Sequence, residues 1–167
     1  MDPVEFSKQT KAEAEEILGR TNLLALLGKY GDVRIGGSYF TDLMYGPDID
    51  IAVATDDPRA AAVRFLNDAI EKRVFQKYQY GDFEAFPREH RPTDHIVVLI
   101  LPFKERTWEI EIWFSKEHPR ERTLLEEKLK SLPSETKREI IELKADRERS
   151  GLDKHALSSF QIYQKFV

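Results

Sequence analysis

The stretch VRIGGSYFTDLMYGPDIDIAV, residues 33–53, decides how the rest of this sequence is interpreted. It begins with a short apolar run, breaks at Gly36-Gly37-Ser38 and ends in Asp48-Ile49-Asp50-Ile51. Successive side chains of an extended strand point to opposite faces. Asp48 and Asp50 therefore share one face of a predicted strand, and the isoleucines share the other.

Two carboxylates on one face of an apolar strand repel each other unless a cation lies between them. Hard divalent cations such as Mg²⁺ take oxygen ligands, so Asp48 and Asp50 are candidate metal ligands. The alternative is a solvated strand face or a pair of helix caps. The residue types in this segment do not by themselves decide between the metal site and this alternative.

The turn before this strand has the composition of a phosphate site. Gly36 and Gly37 allow a tight turn and a close approach of the backbone to a bound group. Ser38 offers its hydroxyl and its amide to a phosphate where a helix begins. An ordinary strand-to-helix turn uses the same residue types, so it is the nearby carboxylates that favour the phosphate interpretation.

The run Gly37-Ser38, a nine-residue spacer and then Asp48-Ile49-Asp50-Ile51 resembles the signature of the DNA polymerase β-like nucleotidyltransferase superfamily. The resemblance covers the first two-thirds of the chain. It implies an α/β nucleotidyltransferase fold, with a small mixed sheet of about four or five strands and helices mainly on one face. A charged, helical C-terminal segment would follow as an extension packed on this core.

The resemblance also implies a third carboxylate on a later strand between apolar neighbours. The run Trp108-Glu109-Ile110-Glu111-Ile112 supplies two candidates on one face. Glu111 is preferred because it lies deeper in the apolar run, but Glu109 stays open. The commoner family pattern has Asp on this strand, so glutamate is a departure from it.

The activity that the resemblance implies is transfer of a nucleoside monophosphate from an NTP to a hydroxyl acceptor, with release of pyrophosphate. The triphosphate would lie on the Gly36-Gly37-Ser38 turn. Asp48 and Asp50 would hold two Mg²⁺ ions, and Glu111 would ligate the catalytic metal and act as base, which makes these three the catalytic residues.

Composition limits the kinds of acceptor and binding partner that we expect. The chain has 167 residues and no cysteine, and its net charge is −4. We expect a catalytic core over residues 1–116 and a helical extension over 117–167. Without a basic excess, a small-molecule or protein acceptor is expected over nucleic acid, which remains the less expected alternative. No apolar run reaches about 20 residues and no secretory signal is seen, which predicts a cytoplasmic protein without a membrane partner. The sequence leaves open whether the protein forms a homodimer.

Periodicity and turn residues predict the other elements. Helices are expected over 3–30 (weakened at Asn22), 39–45, 58–73, 120–132 and 134–149, and in a last segment capped by Asp153. Strands are expected over 33–35, 48–54, 94–103 and 108–114, the last two as a hairpin. Residues 74–86 have strand propensity without a clear pattern, and 86–93 is predicted as a loop.

A second hypothesis keeps the fold without the turnover. Glutamate at position 111, and Pro47 where the family often has serine, favour a weakly active or inactive module that binds nucleotide or a protein partner. Isolated basic residues are weaker candidates for phosphate binding or base catalysis, since such residues are mostly solvated or structural. They are Arg34, Arg88, Arg91, Lys104, Arg106, His90 and His95.

Overall fold

The computed structural model describes residues 1–89, 93–152 and 157–167. Its helices are α1 (Pro3–Thr21), α2 (Leu23–Leu27), α3 (Gly37–Thr41), α4 (Pro58–Lys72), α5 (Arg120–Lys130), α6 (Ser134–Arg149) and α7 (Ser159–Tyr163). Its strands are β1 (Asp32–Ile35), β2 (Asp48–Ala54), β3 (Lys77–Asp82), β4 (His95–Phe103) and β5 (Arg106–Ser115).

The described strands form one sheet in the order β1-β2-β5-β4-β3. β2 and β5 run parallel, and every other neighbouring pair is antiparallel. The predicted mixed α/β sheet is therefore confirmed, and so is the β4–β5 hairpin. The parallel pair lies at the centre and carries both acidic segments that the sequence singled out.

One face of the two central strands forms the hydrophobic core. Ile49 and Ile51 of β2 and Ile110 and Ile112 of β5 are at most 1% exposed. They pack against apolar side chains of the helices, among them Ile17, Leu27 and Phe65. Burial of each such side chain stabilises the fold by roughly 1.5–3 kcal/mol, so this face holds β2 and β5 rigidly in place.

The first predicted helix is divided into two. Asn22 adopts a left-handed conformation, with φ of 50°, and separates α1 from α2. Asparagine tolerates this conformation better than most residues. The break that the sequence indicated at Asn22 is present, and the helical segment ends at Leu27, just before Gly28, instead of at residue 30.

The predicted helix over 39–45 is shifted toward the N-terminus. It begins at Gly37 and ends at Thr41, because Asp42 is left-handed with φ of 62°. Lys11, Lys130 and Lys137 surround the Asp42 carboxylate. Burial opposes ionisation, but hydrogen bonds from Lys11 and Lys130 dominate and lower the pKa of Asp42 to about 2. This cluster fixes the end of α3 between α1, α5 and α6.

The C-terminal helices have a second, smaller core. Leu43, Leu129, Ile140, Ile141 and Ile162 form it. α6 packs against α1, and α5 packs against α3.

The last helix differs in its cap from the prediction. Ser158 caps α7 by accepting from the Gln161 amide, whereas the predicted cap Asp153 lies outside the described residues. None of the helices in the described ranges is both long enough and apolar enough to cross a membrane.

Candidate active site

The parallel pairing of β2 with β5 sets the acidic side chains in two rows. Asp48 lies opposite Glu109, and Asp50 lies opposite Glu111. Paired residues on neighbouring strands point to the same face. The carboxylates therefore lie on the face opposite the hydrophobic core, on the two strands that the core holds most firmly.

A cavity of about 960 Å³ opens over this face. Gly37, Ser38, Asp48, Asp50 and Glu111 line it together. The turn and the carboxylates, which are separate in the sequence, therefore face one shared cavity.

The structure separates the two candidates for the third carboxylate. Glu111 is half-buried and lines the cavity, and the Trp113 indole N–H lies 3.4 Å from its Oε2. Glu109 is exposed and does not line this cavity. A separation of two residues along β5 thus places Glu111 beside Asp50 and leaves Glu109 near solvent.

Gly37 joins the turn to the strand of carboxylates. The Gly36 N–H donates to the Asp50 carbonyl at 2.9 Å, and Gly37 has φ of +61°. A Cβ at Gly37 would overlap the Asp50 carboxylate, since it would lie 2.9 Å from Asp50 Cγ. Glycine is required here both by the backbone conformation and by the close packing on Asp50. Gly36 itself lines a smaller neighbouring recess.

Three other carboxylates and one guanidinium act on the charge of Asp50. Burial, together with the charges of Asp48, Glu111 and Glu126, raises the pKa of Asp50 to about 6, against the opposing charge of Arg122. The Arg122 guanidinium lies 3.5 Å from Asp50 Oδ1. Arg122 therefore offsets only part of the rise in the pKa of Asp50.

These carboxylates fit divalent cations in donor chemistry. Mg²⁺ prefers carboxylate oxygens, and a cation would remove the repulsion that raises the pKa of Asp50. Within the described ranges, however, no three Asp, Glu or His side chains already converge as a metal site. The side chains share a cavity.

Two charged residues of α5 in this cavity, Arg122 and Glu126, were not predicted from the sequence. Glu126 is only 4% exposed, and its Oε1 accepts from the Gly37 N–H at 2.7 Å and from Arg122 Nε at 3.1 Å. An Arg and a Glu four residues apart on a charged helix usually form a solvated pair. The sequence therefore held no signal that distinguishes this pair from its neighbours.

Two cationic residues of α6 also line the cavity and were not predicted from the sequence. Lys144 and Arg147 of α6 are buried, at 2% and 4% exposure, and both line the cavity with Tyr163. Lys144 Nζ donates to the Leu43 carbonyl at 2.7 Å and to the Tyr163 hydroxyl at 2.8 Å. Here a signal existed, because residues 140, 144 and 147 follow helical spacing and continue the buried stripe that Ile140 begins.

Burial and the charges of Asp48 and Asp50 affect the pKa of Tyr163, which lines the same cavity. Burial is the main cause that raises the pKa of its hydroxyl, and the negative charges of Asp48 and Asp50 raise it further. The tyrosine therefore stays protonated near neutral pH and presents a neutral donor to the cavity.

Several weaker candidates have structural partners. Arg106 donates to Thr10 at 2.9 Å and to the Tyr45 carbonyl at 3.1 Å. His95 is buried and hydrogen-bonded to Tyr80 and Glu84, both at 2.8 Å. Lys104 pairs with Glu16, Arg88 lies over the Phe83 ring, and Arg34 pairs with Glu126. His90 and Arg91 lie outside the described residues.

Comparisons with known proteins agree with this geometry at the level of the fold. No family model matches the sequence, and no curated protein matches it. Among solved structures, a mutant of the Cid1 poly(U) polymerase bound to MgATP matches with a TM-score of 0.69 and 17% identity, over 93% of this chain and 48% of that one.

Two further solved structures match in the same way. A cytoplasmic RNA terminal U-transferase matches with a TM-score of 0.57 and 17% identity, over 90% of this chain and 47% of that one. The polymerase core of TRAMP, an RNA surveillance complex, matches with a TM-score of 0.59 and 20% identity, over 89% and 48%. The chain spans about half the length of each of these proteins, and it has their fold, the nucleotidyltransferase fold that the sequence predicted.

Proposed function

We propose that this protein transfers a nucleoside monophosphate from an NTP to a hydroxyl acceptor and releases pyrophosphate. One observation carries the proposal: Asp48, Asp50 and Glu111 line the same cavity as the Gly37-Ser38 turn. Carboxylates for cations and amides for phosphates are the two sets of groups that nucleotidyl transfer needs. The cavity, at about 960 Å³, is large enough for a nucleotide-sized ligand.

Each set of groups has a separate task. Asp48, Asp50 and Glu111 would hold two Mg²⁺ ions, which when bound supply charge neutralisation at the reacting phosphate. The Gly37 amide and the Ser38 hydroxyl would bind the triphosphate. Lys144 and Arg147 add positive charge to the lining of the cavity, which favours an anionic ligand.

Glu111 is the proposed base. It lies beside Asp50 in the register of the sheet, and the Trp113 indole N–H points toward one of its oxygens. A carboxylate held in this way can accept the proton of an acceptor hydroxyl in the same cavity. Ser38 and Gly37 would meanwhile keep the triphosphate in position.

The acceptor is proposed to be a small molecule or a protein. The net charge of −4 gives no general attraction for a polynucleotide. The solved neighbours include enzymes described as a poly(U) polymerase and an RNA terminal U-transferase, so RNA belongs among the acceptors to be tested. We also propose a cytoplasmic location, as described for one neighbour.

The proposed division of labour follows the chain. Residues 1–116 would form the catalytic core, with the turn and all three carboxylates. Residues 117–167 would form a helical extension that completes the cavity through α5, α6 and α7. Lining residues from both parts support this division.

A second candidate function is a module of the same fold that binds nucleotide without turnover. It is favoured by the lack, within the described ranges, of three acidic or histidine side chains already gathered for a metal ion. It is also favoured by the longer side chain of glutamate at position 111.

Label transfer distinguishes these functions. The protein is incubated with each α-labelled NTP, Mg²⁺ and a panel of acceptors: small alcohols, protein and short RNA. Transfer to any acceptor, or release of pyrophosphate, supports the enzyme, and Asp50→Asn should lower the rate by at least roughly 10–100-fold, because it removes a proposed metal ligand. Asp56→Asn is the matched control, because Asp56 is exposed just beyond β2. Nucleotide binding without transfer supports the module, and equal rates for the two variants contradict the assigned site.

A further inference from the structure

The position proposed for a nucleotide phosphate is already occupied by a carboxylate of the chain itself. Glu126 Oε1 accepts from the Gly37 N–H at 2.7 Å, which is a short, charge-assisted hydrogen bond. The Gly37 amide cannot donate to Glu126 and to a phosphate oxygen at once.

Arg122 and Arg34 complete this arrangement. Arg122 Nε donates to Glu126 Oε1 at 3.1 Å, and its other end lies 3.5 Å from Asp50 Oδ1. Arg34 Nη2 lies 3.0 Å from Glu126 Oε2. A side chain of α5 thus supplies the negative charge at the glycine turn, and another supplies positive charge at a carboxylate proposed to bind cations.

The same pair divides the space above the sheet. A second recess of about 240 Å³ adjoins the main cavity. Asp50, Trp113, Glu121, Arg122 and Glu126 line both. The Arg122 and Glu126 side chains are therefore a partition, and their withdrawal would join the two spaces along Asp50.

The N-terminal half of α5 is held by polar contacts and by Leu125, which is half-buried against the smaller C-terminal core. Of the α5 residues only Glu126 and Leu129 are buried, and Leu129 belongs to the smaller C-terminal core. Arg34 donates to Thr123, and Pro119 at the N-cap gives no side-chain hydrogen bond. Polar contacts exchange with water or with an anionic ligand at a small net cost, so the contacts of Arg122 and Glu126 can be released while Leu125 and Leu129 keep α5 anchored.

We propose that Glu126, held by Arg122, is a built-in competitor for the nucleotide that occupies the Gly37 amide until a triphosphate displaces it. This inference rests on the proposed nucleotide-binding function and adds its regulation. Displacement would free two arginines, Arg34 and Arg122, beside the incoming phosphates. Their positive charge would favour the nucleotide-bound state.

Nucleotide affinity tests the proposal directly. Calorimetry measures the binding of α,β-methylene analogues of all four NTPs, with Mg²⁺, to the wild type, Glu126→Gln and Glu127→Gln. Glu127 is exposed on the same helix, so its variant has the same charge change without the contact. A neutral amide competes less well for the Gly37 N–H, and Glu126→Gln should bind about tenfold more tightly, or 1.4 kcal/mol. Glu127→Gln should bind as the wild type does.

Hydrogen exchange on the wild-type protein gives a second result that does not depend on a variant's folding. Saturation with the analogue should speed amide exchange over residues 120–126 and slow it over 36–41. Unchanged or slower exchange in 120–126, or equal affinity of wild type and Glu126→Gln, overturns the competitor but leaves nucleotide binding intact. Absence of binding to wild type and to both variants overturns the proposed function and this inference together.

Discussion

The two faces of β2 and β5 are built from alternate residues of the same strands but have opposite effects on the protein. On one face Ile49, Ile51 and Ile112 are fully buried and stabilise the fold. On the other face Asp50 and Glu111 remain half-buried beside a cavity. The raised pKa of Asp50 shows that its ionised form is less stable here than in water.

This contrast indicates how the protein can hold like charges close together. Repulsion on the cavity face acts on strands that the core face fixes from behind. A site on a flexible loop would relax by moving its carboxylates apart, whereas two central strands cannot. The stability of one face therefore preserves the electrostatic strain of the other.

The largest expected effect is on the core face. Ile112→Ala should lower the free energy of unfolding by about 2–5 kcal/mol, because it leaves a cavity among fully buried side chains. Ile100→Ala is the matched control, since Ile100 lies on β4, faces the other side of the sheet and is half-buried. Urea denaturation measures both. Equal losses would mean that the two faces do not differ in burial as described.

The second effect concerns the charge of Asp50 and appears as a dependence of stability on pH. The pKa of Asp50 is about 6 in the folded chain against 3.8 for the ordinary carboxyl. Between these values the folded protein binds the proton more tightly, so stability rises as pH falls through 6 and this gain is lost as pH rises again. The gain in stability between pH 7 and pH 4 is at most about 3 kcal/mol. This is an upper limit because solvent reaches the Asp50 side chain, which is 26% exposed.

Asp50→Asn isolates this contribution from the other titrating groups. The difference in free energy of unfolding between wild type and Asp50→Asn, without divalent cations, should shift in favour of the wild type as the pH falls. Millimolar Mg²⁺ should reduce this shift, because a bound cation favours the ionised carboxylate. A difference that is flat from pH 7 to pH 4 would show that Asp50 titrates as an ordinary carboxyl.

The sequence predicted those parts of this contrast that depend on neighbouring residues. The alternation in residues 48–53 predicted which side chains share a face, and Pro133-Ser134 with Ser150-Gly151 predicted the bounds of α6. Contacts between distant residues were not predictable in this way. Gly37 and Glu126 are 89 residues apart, and no local pattern indicates that α5 lies over the glycine turn.

A smaller effect on stability is expected at Gly37, where the turn packs on Asp50 of the acidic face. Gly37→Ala should destabilise the protein by about 1–3 kcal/mol, because alanine is strained at positive φ and its Cβ would overlap Asp50. Nucleotide affinity should fall with it. Gly19→Ala is the control: Gly19 lies in α1 with nothing within 4 Å of an added Cβ, so alanine there should stabilise by about 0.5–1 kcal/mol. Thermal unfolding distinguishes the two, and a neutral Gly37→Ala would show that the turn is not packed on Asp50.

The smallest effect separates two glutamates on the same face of one strand. Glu111 lies beside Asp50 and lines the cavity, whereas Glu109 is exposed two residues earlier. Glu111→Gln should weaken Mn²⁺ binding, measured by calorimetry, about tenfold, which is 1.4 kcal/mol for the loss of one charged ligand. Glu109→Gln removes the same charge near the same cations and should change affinity less than twofold, because solvent and salt screen an exposed carboxylate. If the two variants weaken Mn²⁺ equally, general charge and not position explains the loss, and the third ligand would have to be sought outside β5.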